Sequence, residues 1–250
     1  MKSIARSVLA VDAGNSRIKW AVHDGSRWKQ RGWIATNQAR RLQARFAKMT
    51  TVDAIVISNV AGAAVRGALG SALPSGPSAY WVKSARAQAG VRSSYAVPSQ
   101  LGCDRWAAAI GAYRLFGTAA VVVNAGTALT VDALTADGVF AGGLIVPGVE
   151  LMRSALAENT AGLKRRPGKF SFFPDATGDA IMSGAINASC GAIERMAHFL
   201  QETGQIAPLC ILSGGAAAVL APHLNLEVKL VDNLVLEGLL AIARERLPRT

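Results

Sequence analysis

Asp12 and Lys19 flank a small-residue turn, Ala13-Gly14-Asn15-Ser16, in a stretch that runs from Val8-Leu9-Ala10-Val11 into Arg17-Ile18-Lys19-Trp20-Ala21-Val22. Glycine lets a backbone approach a ligand closely, and a row of turn N–H groups beside hydroxyl and amide side chains suits phosphate oxygens. Asp12, ending the first strand, is placed to hold Mg²⁺ through water, and Lys19 can reach back toward a phosphate. Taken alone, these residues fit an ordinary hairpin turn equally well. A second copy tips the balance. Val123-Asn124-Ala125-Gly126-Thr127-Ala128 is entered from Ala119-Ala120-Val121-Val122 and left through Leu129-Thr130-Val131-Asp132. A third strand-to-glycine junction follows at Ser213-Gly214-Gly215. Two such tips suggest two related half-domains gripping one polyphosphate.

Gly102-Cys103-Asp104-Arg105 precedes an Ala-rich stretch, which puts Asp104 near a helix N-terminus. A carboxylate there is either a helix cap or a general base that takes a hydroxyl proton during phosphoryl transfer, and spacing does not separate the two. Tyr95, in Ser94-Tyr95-Ala96-Val97-Pro98, is either loop packing or a substrate contact.

Positioning these groups takes an α/β chain. Periodicity predicts strands near residues 7–12, 17–23 and 27–34, a helix over 39–48, a buried strand over 54–59 and a helix over 61–73. A turn at Pro74-Ser75-Gly76-Pro77, a short strand over 80–82 and a helix over 101–115 complete the first half. The second half, from about Gly117, repeats the hairpin. It continues through a glycine turn at Gly142-Gly143, a helix over 148–159, a basic loop and a long helix over 178–203. A strand over 210–212, a helix, a strand over 228–231 and a helix over 233–246 close the chain. The echo implies a duplication, with domains at 1–116 and 117–250.

Composition narrows the class. The chain has 250 residues, 51% hydrophobic and 17% charged, enough apolar content for real cores. No stretch is apolar for the roughly 18 residues that a membrane span needs. The apolar run after the basic Met1–Arg6 segment is too short for a signal-peptide core. Cys103, Cys190 and Cys210 are odd in number and lack metal-ligand spacing, and so read as reduced thiols of a cytoplasmic protein. Of the net charge of +11, residues 1–50 carry eleven Lys/Arg against two Asp/Glu. Arg40, Arg41, Arg45 and Lys48 follow helical spacing. They read as a solvated face, because no aromatic-basic interleaving or DNA-binding motif accompanies them.

Five ordered motifs then carry a family resemblance. Asp12-x-Gly14-Asn15-Ser16-x-x-Lys19, Gly102-x-Asp104-Arg105, Ala125-Gly126-Thr127-Ala128-x-Thr130-x-Asp132, Gly142-Gly143-x-Ile145-x-Pro147-Gly148 and Ser213-Gly214-Gly215 resemble those of type III pantothenate kinases in type and order. The resemblance runs from end to end. It implies the actin-like ATPase fold of sugar kinases and Hsp70, with two RNase H-like domains and nucleotide in the cleft between them. It implies ATP-dependent phosphorylation of pantothenate to 4′-phosphopantothenate, the first committed step to coenzyme A, by a homodimer.

Carried over by position, Asp12, Ala13, Gly14, Asn15, Ser16, Arg17, Ile18 and Lys19 match the first phosphate loop, and Thr127 matches an ATP contact in the second. Tyr95 and Gly102, Cys103, Asp104 and Arg105 match pantothenate contacts, and Asp104 the catalytic base. Cys103 fills a variable position and is read as incidental, not as a nucleophile. Thr177 matches a substrate residue contributed across the dimer, although it is also a natural cap for the long helix. Gly214 and Gly215 lie where the family passes nucleotide by a helix N-terminus.

Two positions depart from the pattern. Ser16 stands where Thr is common and keeps the hydroxyl. Asn124 stands where the family has an Asp that ligates K⁺ or NH₄⁺. An amide oxygen still coordinates a cation but brings no negative charge, so altered cation dependence is expected, with Asp132 or a neighbouring carbonyl as compensator. Two other readings remain open: an actin-like kinase for another small hydroxyl acceptor such as N-acetylglucosamine, and a non-catalytic regulator that binds nucleic acid.

Overall fold

Val8–Ala13 forms β1, whose near-continuous apolar run suits a strand covered on both faces. Gly14 to Ser16 turn the chain into β2, Arg17–His23, and β3 follows as Trp28–Ala35. The computed structural model describes residues 6–49, 52–163 and 166–247. Residues 1–5 of the basic N-terminal segment, and Lys164 and Arg165 of the predicted basic loop, lie outside the described residues.

The helix expected over 39–48 is instead a 3₁₀ segment, Thr36–Arg41, followed by a short α1, Leu42–Phe46. No acidic residue opens it and no side chain caps it, while Ala39, Leu42 and Phe46 anchor it to the core. Arg40, Arg41, Arg45 and Lys48 are exposed. Then come β4 (Ala54–Asn59), α2 (Ala63–Ala72), β5 (Ala79–Trp81), and a small hairpin of β6 (Ala87–Gln88) and β7 (Val91–Ser93). That hairpin escapes a sequence reading because its turn is Ala89-Gly90, both at positive φ (49° and 88°), without the usual Asn-Gly or Asp-Gly signal. The helix α3 spans Cys103–Phe116.

The second stretch builds β8 (Ala120–Ala125), β9 (Ala128–Leu134), β10 (Val139–Pro147), α4 (Val149–Asn159), α5 (Thr177–Glu202), β11 (Leu209–Ser213), a one-turn α6 (Ala217–Leu220) and β12 (Val228–Leu230). The Gly142-Gly143 pair is not a turn. It lies inside β10, where the register shifts between Phe140 and Gly142, and Gly142 takes φ 146°. The glycines serve a β-bulge. The chain closes with α7, Leu234–Arg246.

The two sheets repeat one plan. In the first, strand order is β3-β2-β1-β4-β5; in the second the same order recurs as β10-β9-β8-β11-β12. The central pairs β1–β4 and β8–β11 are parallel, and the hairpin pairs β1–β2 and β8–β9 antiparallel. β1 and β8 even share a burial pattern, with one polar residue, Asp12 or Asn124, in an otherwise buried strand.

The chain divides into two compact units, Met1–Phe116 with Leu234–Thr250, and Gly117–Asn233. The closing helix α7 belongs with residues 1–116 in the first unit, not with the second. α7 packs on α3, and small residues make the contact close: a Cβ on Gly238 would sit 1.7 Å from the Ala107 carbonyl oxygen, and one on Gly111 2.6 Å from that of Leu234. In the first unit one sheet face buries Leu9, Val11, Ile18, Trp20, Ile55 and Ile57 with Phe46 and Leu69. In the second, Val121, Val123, Leu129, Val131 and Leu212 pack with Ile186, Cys190 and Ile193 of α5.

Candidate active site

Register places the first group of polar residues. Asp12 is the Cα partner of Lys19 in the antiparallel pair and of Ser58 in the parallel pair, and Lys19 is in turn the partner of Trp33. Cross-strand partners share a sheet face, so Ser58, Asp12, Lys19 and Trp33 form a row across β4, β1, β2 and β3. The row lies on the face opposite the Leu9, Val11 and Ile57 core, the face that receives α3.

At the near end of α3, the Asp104 carboxylate accepts the Arg105 backbone N–H at 2.8 Å. A Cβ on Gly102 would lie 2.6 Å from Asp104 Oδ1, so only glycine leaves the side chain room to fold back. Arg105 is buried, and its guanidinium donates to the Tyr95 hydroxyl at 3.1 Å. The other end of Tyr95 is held by Arg86, which donates to the Tyr95 and Ala96 carbonyls at 3.0 Å each. The first unit thus brings Asp12, Lys19, Asp104, Arg105 and Tyr95 into one region.

Its electrostatics are those of two carboxyls taken from water. Burial, reinforced by the charge of Asp104, pushes the Asp12 carboxyl up to about 7 against the opposing pull of Lys19 and a Ser58 hydrogen bond. Burial also raises Asp104, and the Arg105 backbone, its own N–H and the Arg105 charge hold it back. Among the described residues, Asp12 Oδ1 is the buried side-chain oxygen that has no hydrogen-bond partner. A bare buried carboxylate oxygen is costly unless a cation or ligand group meets it, which fits a divalent ion carried by phosphates. Among the described residues no group of three His, Cys, Asp or Glu forms a closed metal site.

The first turn is braced from the start of the 3₁₀ segment that follows β3. Gly14 N–H donates to the Arg17 carbonyl at 3.0 Å, and Thr36 Oγ1 donates to the Gly14 carbonyl at 2.7 Å. Asn15, Ser16 and Arg17 are exposed, with Arg17 stacked 4.4 Å over the Trp33 ring. Ala13 and Ile18 are wholly buried, so their side chains are core and any ligand contact falls to the backbone.

In the second unit three separate motifs meet at the second turn. Gly148 N–H donates to the Thr127 carbonyl at 2.8 Å, and a Cβ there would lie 2.1 Å from the Gly126 carbonyl oxygen. Gly214, at φ 102°, sits where a Cβ would be 2.5 Å from the Ala125 carbonyl oxygen. Asn124 is the register partner of Thr130 and Ser213, the counterpart of Asp12 between Lys19 and Ser58. Gly215 is exposed and open. The helix after it is a single turn, too short for a strong dipole, so the junction contributes backbone space more than a helix end. Thr177 opens α5 and is exposed, and that helix has no side-chain cap bond, so Thr177 does not act as its cap.

Sequence reading missed Ser58, Arg86 and Thr36. The only available sign for Ser58 was a polar residue ending an apolar strand; Arg86 and Thr36 act on loops far from their own motifs and carry no local sign.

The model of the type III pantothenate kinase family matches residues 8–198. A type III pantothenate kinase of Nitrosospira multiformis is 49% identical over 239 residues, covering 95% of this chain and 91% of that one. Another from Azoarcus sp. is 47% identical over 239 residues, covering 94% and 90%. Among solved structures, glucokinase from Balamuthia mandrillaris superposes with a TM-score of 0.52 at 11% identity, over 96% of this chain and 94% of that one. At that identity the likeness concerns the fold, which is that of the sugar kinases.

Proposed function

Because the chain belongs to the type III pantothenate kinase family, it is a kinase that uses ATP and a divalent metal to phosphorylate pantothenate in coenzyme A biosynthesis, and we propose that Asp104 is its base and Asp12 its metal-side carboxylate. The observation that carries the assignment is the bare, buried Asp12 Oδ1 beside Asp104 and Lys19.

Asp104 takes the proton from the primary hydroxyl of pantothenate as that oxygen bonds to the γ-phosphorus and the bond to ADP breaks. Burial makes this carboxylate a better base than a free one. Arg105 and Tyr95 hold the polar substrate, and Arg105 is itself fixed by the tyrosine hydroxyl. The Gly14-Asn15-Ser16 turn with Lys19, and the Gly126-Thr127 turn with Gly214 and Gly215 behind it, are each phosphate-binding groups in this reading. Asp12 would hold a divalent ion, which would offset charge on the transferring group. Asn124 is the monovalent-cation ligand, weakened by its missing charge.

We further propose a cytoplasmic homodimer in which Thr177 reaches the partner's substrate. Exposed Ile145 of β10 and Leu151 and Leu156 of α4 support an apolar face suited to a second copy. All three cysteines are free thiols, and no helix among the described residues is long and apolar enough to cross a membrane.

The test is a coupled ADP-release assay with Mg²⁺-ATP and pantothenate, with and without K⁺ or NH₄⁺. Release that requires pantothenate, with phosphopantothenate identified by mass, bears the reading out. A folded, ATP-binding protein that releases no ADP under any cation overturns it.

A further inference from the structure

Ser84 and Arg86 lie outside every motif so far given a role, on the connection between β5 and β6. Two residues apart, they hold the two ends of the loop 95–101, which joins Tyr95 to the Gly102-Cys103-Asp104-Arg105 motif. Arg86 donates from Nη1 to the Tyr95 carbonyl and from Nη2 to the Ala96 carbonyl, at 3.0 Å each. Buried Ser84 donates from Oγ to the Leu101 carbonyl at 2.8 Å. The base of the β6–β7 hairpin adds two bonds: the Ser93 N–H donates to the Arg86 carbonyl at 2.9 Å, and the Tyr95 N–H to Ser93 Oγ at 3.2 Å. Across the loop, the Arg105 guanidinium reaches the Tyr95 hydroxyl at 3.1 Å. Tyr95 is therefore held at its amide, its carbonyl and its hydroxyl. The hairpin itself is docked on both helices. Gln88 accepts the Trp106 indole N–H of α3 at 3.0 Å, and Glu245 of α7 accepts the Ala89 N–H at 2.9 Å. Arg86 is exposed, so core packing does not demand an arginine there. The planar fork of a guanidinium meets two neighbouring carbonyls at once, which a lysine ammonium matches poorly.

We propose that Arg86 is a positioning residue for Tyr95: with Ser84 at the far end, it straps the loop so that the Tyr95 hydroxyl stays fixed beside Arg105 before pantothenate arrives. The inference rests on the reading of Tyr95 and Arg105 as substrate contacts. A site ordered in advance spares the substrate the cost of ordering it. A loop released at the Tyr95 end must be ordered each time pantothenate binds, and that cost shows in the KM for pantothenate. The strap needs no contact between Arg86 and the substrate. Lysine at this position keeps the charge but loses the fork. That separates the strap from a plain attraction between the Arg86 charge and the substrate's carboxylate.

The experiment combines steady-state kinetics with fluorine NMR of the full-length protein labelled with 3-fluorotyrosine. The chain has three tyrosines, Tyr80, Tyr95 and Tyr113, and the Tyr95 line is the one missing from Tyr95→Phe. Arg86→Ala is expected to move that line toward the position of free fluorotyrosine. It is also expected to raise the KM for pantothenate about tenfold, the scale of one hydrogen bond to a charged group. The KM for ATP and the lines of Tyr80 and Tyr113 stay as in wild type, which a general loss of structure would not allow. Arg86→Lys is expected to raise the KM for pantothenate about threefold, as charge without the fork restores only part of the hold. An unmoved Tyr95 line in folded Arg86→Ala overturns the proposal. A wild-type KM for pantothenate in Arg86→Lys, beside a raised one in Arg86→Ala, overturns it too, because charge alone then accounts for the effect. If Arg86→Ala does not fold, Arg86→Lys decides, and an unmoved line with a wild-type KM overturns the strap. A moved line with an unchanged KM in Arg86→Ala would leave the strap standing and fail the reading of Tyr95 as a substrate contact.

Discussion

Asp104 raises the proton affinity of Asp12: the first turn of α3 brings its charge close enough to the polar residue of β1 to oppose that carboxyl's ionisation. Two carboxyls in one desolvated region invite a division of labour, one facing the cation and the other the substrate hydroxyl. Asp104→Asn keeps the shape and removes the base. Turnover should fall at least about a hundredfold, the usual contribution of general-base catalysis, while ATP binding by calorimetry is retained. Turnover near wild type would make Asp104 a helix cap.

Asn124 occupies, in the second sheet, the place that Asp12 holds in the first. If a monovalent cation binds there, an amide would coordinate it without neutralising it. Asn124→Asp should therefore steepen activation by K⁺ or NH₄⁺ in a steady-state titration. Equal, strong activation of both proteins would show that the cation is held by other groups.

The packing of α7 on α3 gives a stability test. At Gly238 a methyl would fall 1.7 Å from the Ala107 carbonyl oxygen, backbone that cannot swing aside. Gly238→Ala should cost about 2 kcal/mol or more in urea denaturation, the upper part of the overpacking range. Because α3 also carries Asp104, kcat should drop with it. An unchanged midpoint would mean that the helices separate freely.

His23 provides a pH signature of stability. It is buried, accepts the Gly25 N–H on Nδ1 at 2.9 Å, and its proton affinity is lowered from 6.5 by burial and Arg244, which outweigh Asp24 and Glu237. The unfolded chain thus takes up this proton at higher pH than the folded one. The stabilisation is complete above the unfolded value and is lost as pH falls below it and through the folded value. Urea midpoints measured from about pH 8 down to about pH 5 should decline, and His23→Gln should flatten the part due to this group. Parallel curves for the two proteins would rule His23 out as the cause.

Much of this was legible in the chain because it is local. The β1 and β8 hairpins announce themselves by apolar runs broken by Gly14 and Gly126, and α3 and α5 by length and small-residue faces. Asp12, Lys19 and Asp104 could be named for the same reason: each sits in a short, ordered motif. What stayed hidden depends on distant pairing. Nothing near Ser58 says that it will lie beside Asp12, because parallel register is set by the whole sheet. The Arg86 hold on Tyr95 bridges a hairpin whose turn lacks the usual residues. Gly142-Gly143 misled because a bulge and a turn ask the same backbone freedom of glycine.

The return of α7 to the first unit also orders events in time. A ribosome finishes Met1–Phe116 long before it makes Leu234–Arg246, and all of Gly117–Asn233 comes between. At typical synthesis rates that interval is on the order of ten seconds. Throughout it, the α3 face around Ala107 and Gly111 waits without its covering helix. The unit that carries Asp12 and Asp104 therefore reaches its final form last, and the nascent chain cannot complete the surroundings of these two carboxyls before the second unit has emerged.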